Sequence, residues 1–281
     1  MLRKRLIATV SVAIVAGALI IGCGSSKATV NDGATPAHSA KIAISGSTSV
    51  GPLVENEAEE FESNNPNVTI ETNQTGSSSG IKDTKNGTSE IGMSSRELTS
   101  EEAEGLDEVT VAVDCIAVVV NKDNPVQNLT LEQVKDIFTG KITNWKEVGG
   151  EDAPIVVVSR ESGSGTRGAF EEILGYKETE TVKTALINNS TGSTKAVVEG
   201  NENAIGYMSV GYVDNTISAV SIDRVEATSD NVKSGDYKIQ RPFLLVYKEG
   251  SLSEEGQEFI DFILSEEGQK IVSEENLVTV D

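Results

Sequence analysis

Three segments of the 281-residue chain share one design, in which a strand pattern runs into a cluster of Gly, Ser and Thr and then into a helical pattern. The first is Ile44-Ser45-Gly46-Ser47-Thr48-Ser49, ahead of a helix with Pro52 in its first turn. The second is Thr75-Gly76-Ser77-Ser78-Ser79-Gly80, ahead of Ile81, and the third runs from Ser159-Arg160-Glu161 through Ser162-Gly163-Ser164-Gly165-Thr166-Arg167 to Ala169. At a helix N-terminus the first backbone N–H groups are unpaired and the macrodipole is positive, so an anion is favoured there. Hydroxyls add adjustable donors and glycines let the backbone come close. Any one segment alone fits an ordinary N-cap with a glycine turn. Three together, one flanked by Arg160 and Arg167, point to anion binding. Neither a P-loop lysine nor the dinucleotide fingerprint accompanies them. A fourth cluster, Ser190-Thr191-Gly192-Ser193-Thr194, lacks arginine and reads as structural capping.

Catalytic chemistry is poorly provided for. The single histidine, His38, falls in a segment without apolar periodicity, so neither a Ser-His-Asp nor a Cys-His constellation can be assembled. A His-containing zinc site is equally unavailable, and no paired-aspartate metal motif is visible. No cofactor, metal or enzymatic activity is therefore expected. Cys115 lies in the apolar run Cys115 to Val120 and reads as a small buried hydrophobe.

The elements that must position these clusters alternate along the chain. Strand patterns cover Lys41 to Ser45, Val68 to Thr72, Glu90 to Ser94, Val109 to Val113, Cys115 to Asn121, Ile155 to Ser159, Ala204 to Met208, Ser218 to Ile222 and Pro242 to Lys248. Apolar residues at helical spacing lie between them: Val54, Ala58 and Phe61; Leu131, Val134 and Phe138; Ala169, Phe170, Ile173 and Leu174; Phe259, Phe262 and Ile263. Thr130 with Gln133 is a capping-box pattern, Gly140 stands where a C-terminal glycine would, and SEEGQ at Ser253 and Ser265 is a helix start used twice. The order predicts an α/β architecture with mainly parallel sheets. Asn121-Lys122-Asp123-Asn124-Pro125 and Ser234-Gly235-Asp236 are candidate crossings between two lobes, with 41–120 plus 240–281 in lobe 1 and 121–239 in lobe 2.

Arg3, Lys4 and Arg5 precede an uncharged apolar run from Leu6 to Ile21 that ends at Gly22-Cys23. This has the form of a secretory signal peptide over 1–22, and it is short for a membrane span. A cysteine at that junction matches a bacterial lipobox, which makes Cys23 the expected lipidation site and 23–40 a lipidated, flexible tether. The expected location is the extracytoplasmic face of the cell membrane. With Cys23 acylated, Cys115 has no intrachain disulfide partner. Without residues 1–22 the chain carries 20 Lys and Arg against 44 Asp and Glu, a net charge of −24. Such a surface repels nucleic acid, and an anionic ligand must be held by local design.

The segments GSTSV at 46–50, TGSSSGIKD at 75–83, SSRE at 94–97, LTLEQVKDIFTGKITNW at 129–145, SRESGSGTRGAFEEIL at 159–174 and GNENAIGY at 200–207 resemble, in order and spacing, the phosphate-binding lipoprotein of bacterial phosphate ABC importers. The resemblance implies a periplasmic-binding-protein fold: two α/β lobes joined by two hinge strands, closing on one dehydrated inorganic phosphate without a metal. It implies permease and ATPase subunits as partners, and nothing suggests more than a monomer. Carried over by position, Ser47, Thr48, Ser49 and Ser77 would donate to the ligand. Arg160 would make a bidentate contact, with Ser164, Gly165 and Thr166 beside it. Where some family members have an acidic residue, Ser95 stands here. Asp114 is then the candidate acceptor of the phosphate proton, with Glu161 next in line; a turn aspartate between two strands is the plainer reading of Asp114. Arg96 is expected either to add charge to the site or to pair with Glu161. Competing readings are binding of another oxyanion such as sulfate or a phosphonate, a signalling receptor, and a phosphohydrolase.

Overall fold

The computed structural model describes residues 39–280; the expected signal peptide, Cys23 and His38 lie outside them. In chain order the elements are β1 (Ala40–Gly46), α1 (Gly51–Asn64), β2 (Val68–Asn73), α2 (Ser77–Asn86), β3 (Ile91–Ser94), α3 (Ser100–Ala103), β4 (Leu106–Asn121), β5 (Asn128–Leu129) and α4 (Leu131–Phe138). There follow β6 (Val156–Arg160), α5 (Gly165–Leu174), β7 (Leu186–Asn188), α6 (Thr191–Glu199), β8 (Ala204–Ser209), β9 (Ile217–Ala219), β10 (Ser221–Ile222), α7 (Ser229–Lys233), β11 (Gln240–Lys248), α8 (Glu254–Leu264) and α9 (Glu266–Glu274).

One curled sheet runs in the order β2-β1-β3-β11-β4-β8-β6-β7, with β9 also paired to β4. At its two ends the pairs are parallel: β1 with β2 and β3, β6 with β7 and β8. The expectation of a mainly parallel sheet fails at the centre, where β11 runs antiparallel to β3 and β4, and β4 antiparallel to β8. The reason is topological. Strand β4 carries the chain out of the first half and β11 brings it back, so side by side they must point in opposite directions.

Strand β4 also joins what reads as two strands in the sequence. Its 16 residues run without a break through Asp114, which is thus an interior strand residue and not a turn residue. Charge in mid-strand is tolerated here because Arg241 of β11 is its direct cross-strand partner. Packing changes hands at this point. Val111 and Ala112 belong to a core formed with Val54, Phe61, Phe243 and Phe259, whereas Cys115, Ile116, Val118 and Val120 belong to another with Phe138, Phe170, Tyr207 and Ile239. The opposite faces of the sheet are covered by Ile81, Leu244 and Val246 in the first half and by Ala117, Val119, Val158 and Val198 in the second. The change of core therefore lies upstream of the Asn121–Pro125 turn.

Local signals are obeyed closely. Thr130 and Gln133 form a reciprocal capping box, and Gly140 takes a φ of +78° just beyond α4. Each SEEGQ starts a helix: Ser253 Oγ accepts from the amide of Gly256, and Ser265 Oγ from that of Gly268. One residue breaks the pattern. Glu57 lies on the face of α1 that carries Val50, Val54 and Phe61, is fully buried, and has no hydrogen-bond partner at either carboxylate oxygen. Burial pushes its carboxyl up to about 8. Since the unfolded chain ionises near the ordinary value of 4.5, the folded state holds this proton more tightly, and stability falls as pH rises from that value toward about 8. By pH 7 the loss is on the order of 3 kcal/mol. Glu57→Met should remove the falling arm, so that urea midpoints of variant and wild type converge at about pH 5 and separate at about pH 8 in the variant's favour. Parallel pH profiles would show that Glu57 is not protonated in the fold.

Candidate anion-binding site

The site is assembled at the C-terminal ends of the parallel strands, where open α/β sheets generally place ligands. Strands β1, β2, β6 and β7 lead into α1, α2, α5 and α6, so four helix N-termini converge. Glycines permit the approach at two decisive points. Gly46 has a φ of +140°, and a Cβ there would lie 2.3 Å from the carbonyl oxygen of Met93. A Cβ on Gly165 would lie 2.4 Å from Ser77 Oγ and 2.7 Å from Ser95 Oγ, so only glycine lets the start of α5 rest on those hydroxyls.

Hydroxyls from both halves meet there. Ser49 Oγ lies 2.8 Å from Thr166 Oγ1 and 2.8 Å from Thr191 Oγ1, and Thr48 Oγ1 lies 3.0 Å from Thr191 Oγ1. Arg160, delivered by the last residue of β6 and buried to 2 % exposure, donates from its two terminal nitrogens to Thr191 Oγ1 at 3.1 Å and Thr48 Oγ1 at 3.2 Å. Its Nε and one terminal nitrogen also grip Glu161 in a bidentate pair, both at 2.9 Å. Ser77 Oγ accepts from the amide of Ser95 and lies 3.2 Å from Ser95 Oγ.

Beneath this layer is a second guanidinium. Arg241 donates twice to Asp114 Oδ2, at 2.8 and 2.9 Å, and once to the carbonyl of Ser95 at 3.1 Å. Ser209 Oγ donates to Asp114 Oδ1 at 2.7 Å. Burial pushes the Asp114 carboxyl up, and the guanidinium beside it opposes that rise. Each of these two arginines thus has its own carboxylate, and the first layer presents oriented hydroxyls and helix termini rather than a large net charge.

Most of the residues named from sequence fall into two groups that adjoin at the start of α5: Thr48, Ser49, Arg160 and Thr166 around Thr191, and Ser77 with Ser95 against Gly165. The hydroxyls of Ser47 and Ser164 face their own helix starts, accepting from the amides of Ser49 and Arg167. Asp114 is placed differently from expectation, engaged at both oxygens by Arg241 and Ser209. Arg96 pairs with Glu102, at 2.7 and 2.8 Å, not with Glu161. Arg167 turns back onto Glu171, Glu178 and the carbonyl of Arg160, and so props the backbone of Arg160. Two residues were missed. Thr191 belongs to the cluster read as mere capping; Ser190 does cap α6, but the next residue faces the site. The cluster needs no arginine of its own, because Arg160 reaches Thr191 across from β6. Arg241 carried no local signal.

A cavity of about 220 Å³ lined in part by Ser49, Pro52, Leu53 and Tyr212 flanks the cluster. Among the described residues no group of three or more His, Cys, Asp or Glu could hold a metal ion, and no helix is long and apolar enough to cross a membrane.

Fold and site define a two-lobed binding protein able to hold a small oxyanion where its halves meet. The sequence matches the PBP superfamily domain over residues 31–267. It is 35 % identical over 268 residues to the phosphate-binding protein PstS of Bacillus subtilis, an alignment covering 92 % of this chain and 87 % of that one, and 30 % identical over 250 residues to PstS of Borreliella burgdorferi, covering 85 % and 90 %. The chain belongs to the PstS family of phosphate-binding proteins within the PBP superfamily. Among solved structures, a candidate phosphate ABC transporter substrate-binding protein with bound phosphate from Clostridium perfringens is 60 % identical, with a TM-score of 0.85 over 86 % of this chain and all of that one. An ABC-type phosphate transport receptor from Vibrio cholerae is 40 % identical, with a TM-score of 0.72 over 85 % of this chain and all of that one.

Proposed function

We propose that the protein binds inorganic phosphate outside the cytoplasmic membrane and delivers it, as a monomer without catalysis, to the permease and ATPase subunits of an ABC importer. The observation that carries this reading is the meeting of Arg160 with the hydroxyls of Thr48, Ser49, Thr166 and Thr191 at the N-termini of α1, α5 and α6. The kinship to PstS proteins and to a phosphate-bound structure selects phosphate among oxyanions. Thr48, Ser49, Arg160, Thr166 and Thr191 are assigned to the ligand directly, with Ser77, Ser95 and the amides of Gly165 and Thr166 around them; the amides of Ser47 and Ser164 are taken by the carbonyls of Met93 and Glu161. Asp114 is assigned to holding Arg241, because Arg241 and Ser209 engage both of its carboxylate oxygens. The lobes are assigned as 39–112 with 241–277, and 115–239, following the change of core along β4 and β11, with Val113 and Val278 packing on the second core.

Calorimetric titration with phosphate and with sulfate tests the reading. Tight phosphate binding with weak sulfate binding is expected, and the reverse order would reassign the ligand. Lipidation at Cys23 rests on the Gly22-Cys23 junction after the apolar run. Cys23→Ala should release the body from membranes or leave the precursor uncleaved, and a processed variant that stays membrane-bound would remove the anchor from Cys23.

A further inference from the structure

Helix α1 begins with an unpaired carbonyl that its own sequence cannot satisfy. The helical bonds at its start run from the amide of Gly51 to the carbonyl of Ser47 at 3.0 Å and from that of Val54 to Val50 at 3.1 Å. By the same spacing the carbonyl of Thr48 would accept from residue 52, which is proline and has no N–H. The missing donor comes from the other half of the molecule. Tyr212 Oη donates to the Thr48 carbonyl at 2.7 Å. Burial pushes the Tyr212 phenol up to about 12, so the donor is protonated at physiological pH. Its position is fixed by the turn after β8, where Ser209 Oγ donates to Asp114 and accepts from the amide of Gly211.

We infer that Tyr212 is a latch for the closed form: a positioning residue outside the ligand shell whose hydroxyl completes the start of α1 only when the halves are together, and so raises phosphate affinity by slowing release. The inference rests on the reading of the site as a phosphate cleft that opens and closes. Thr48 links the two levels, since its hydroxyl belongs to the ligand cluster and its carbonyl to the latch. In the open form that carbonyl would turn to water, at little cost, so the bond acts on closure and not on folding.

Phosphate affinity and dissociation rate, by calorimetry and stopped flow, are compared in wild type, Tyr212→Phe, Pro52→Ala and the double variant. Tyr212→Phe keeps the ring and removes only the donor, and should weaken binding roughly five- to tenfold, chiefly through faster dissociation, with the unfolding midpoint unchanged. Pro52→Ala restores an amide at the position facing the Thr48 carbonyl. In that background the loss from Tyr212→Phe should largely vanish. Unchanged affinity and dissociation in Tyr212→Phe would overturn the latch, as would an equal loss in both backgrounds, which would show that the hydroxyl acts elsewhere than on the carbonyl. Failure of wild type to bind phosphate in the same titration would instead overturn the underlying assignment of ligand.

Discussion

Arg160→Ala should abolish measurable phosphate binding at micromolar concentrations while leaving a folded protein. Two losses compound. The oxyanion loses the guanidinium that donates to Thr48 and Thr191, and Glu161, deprived of its bidentate partner, becomes an uncompensated carboxylate beside an anion. Removing one partner of a buried charge pair costs about 3–5 kcal/mol, which is a factor of hundreds to thousands in affinity. Arg160→Lys should recover only part of this, because one ammonium cannot both grip Glu161 and donate to Thr48 and Thr191. Calorimetric titration with the urea midpoint as a fold control is the measurement. A folded Arg160→Ala protein with near wild-type affinity would remove this residue from the site.

The second large effect is expected at Asp114, and it is one of stability. Asp114 and Arg241 are buried to 0 % and 3 % exposure, with Arg241 held by two hydrogen bonds to one carboxylate oxygen. Asp114→Ala strands the guanidinium in a low-dielectric interior between the two cores and should lower unfolding free energy by about 3–5 kcal/mol. The double variant Asp114→Leu with Arg241→Met should recover much of it, since a well-packed apolar pair avoids the desolvation of both charges. Asp114→Asn separates this from a ligand contact. A carboxylate facing the ligand accepts the proton that phosphate carries and repels sulfate, which has none, so its amide should favour sulfate. A positioning role predicts reduced stability with an unchanged ratio of phosphate to sulfate affinity. A ratio shifted toward sulfate in Asp114→Asn would place the carboxylate against the ligand.

What the sequence by itself determined is local. Short, largely apolar runs marked the strands, apolar spacing of 3.6 marked α1, α4, α5 and α8, and a hydroxyl before an acidic or amide residue marked the helix starts at Thr130, Ser253 and Ser265. These signals act within one or two turns of chain, where backbone sterics and orphan amides set the preference regardless of surroundings. The same locality made the three Gly, Ser and Thr clusters visible as anion-seeking helix termini. Only the tertiary structure decided which side chains share a point. Thr48 meets Thr191 across 143 residues, Asp114 meets Arg241 across 127, and Thr48 meets Tyr212 across 164. Such pairs leave no periodic trace, because the sheet order, not spacing along the chain, sets which residues become neighbours. Arg96, a short step from the ligand loops in sequence, turned to Glu102, and Asp114 was absorbed into a continuous strand by a partner that sequence reading had not connected to it. A carboxylate or guanidinium has several donors or acceptors within reach in any fold; burial and the cost of leaving one unpaired choose among them, and both are properties of the folded molecule alone.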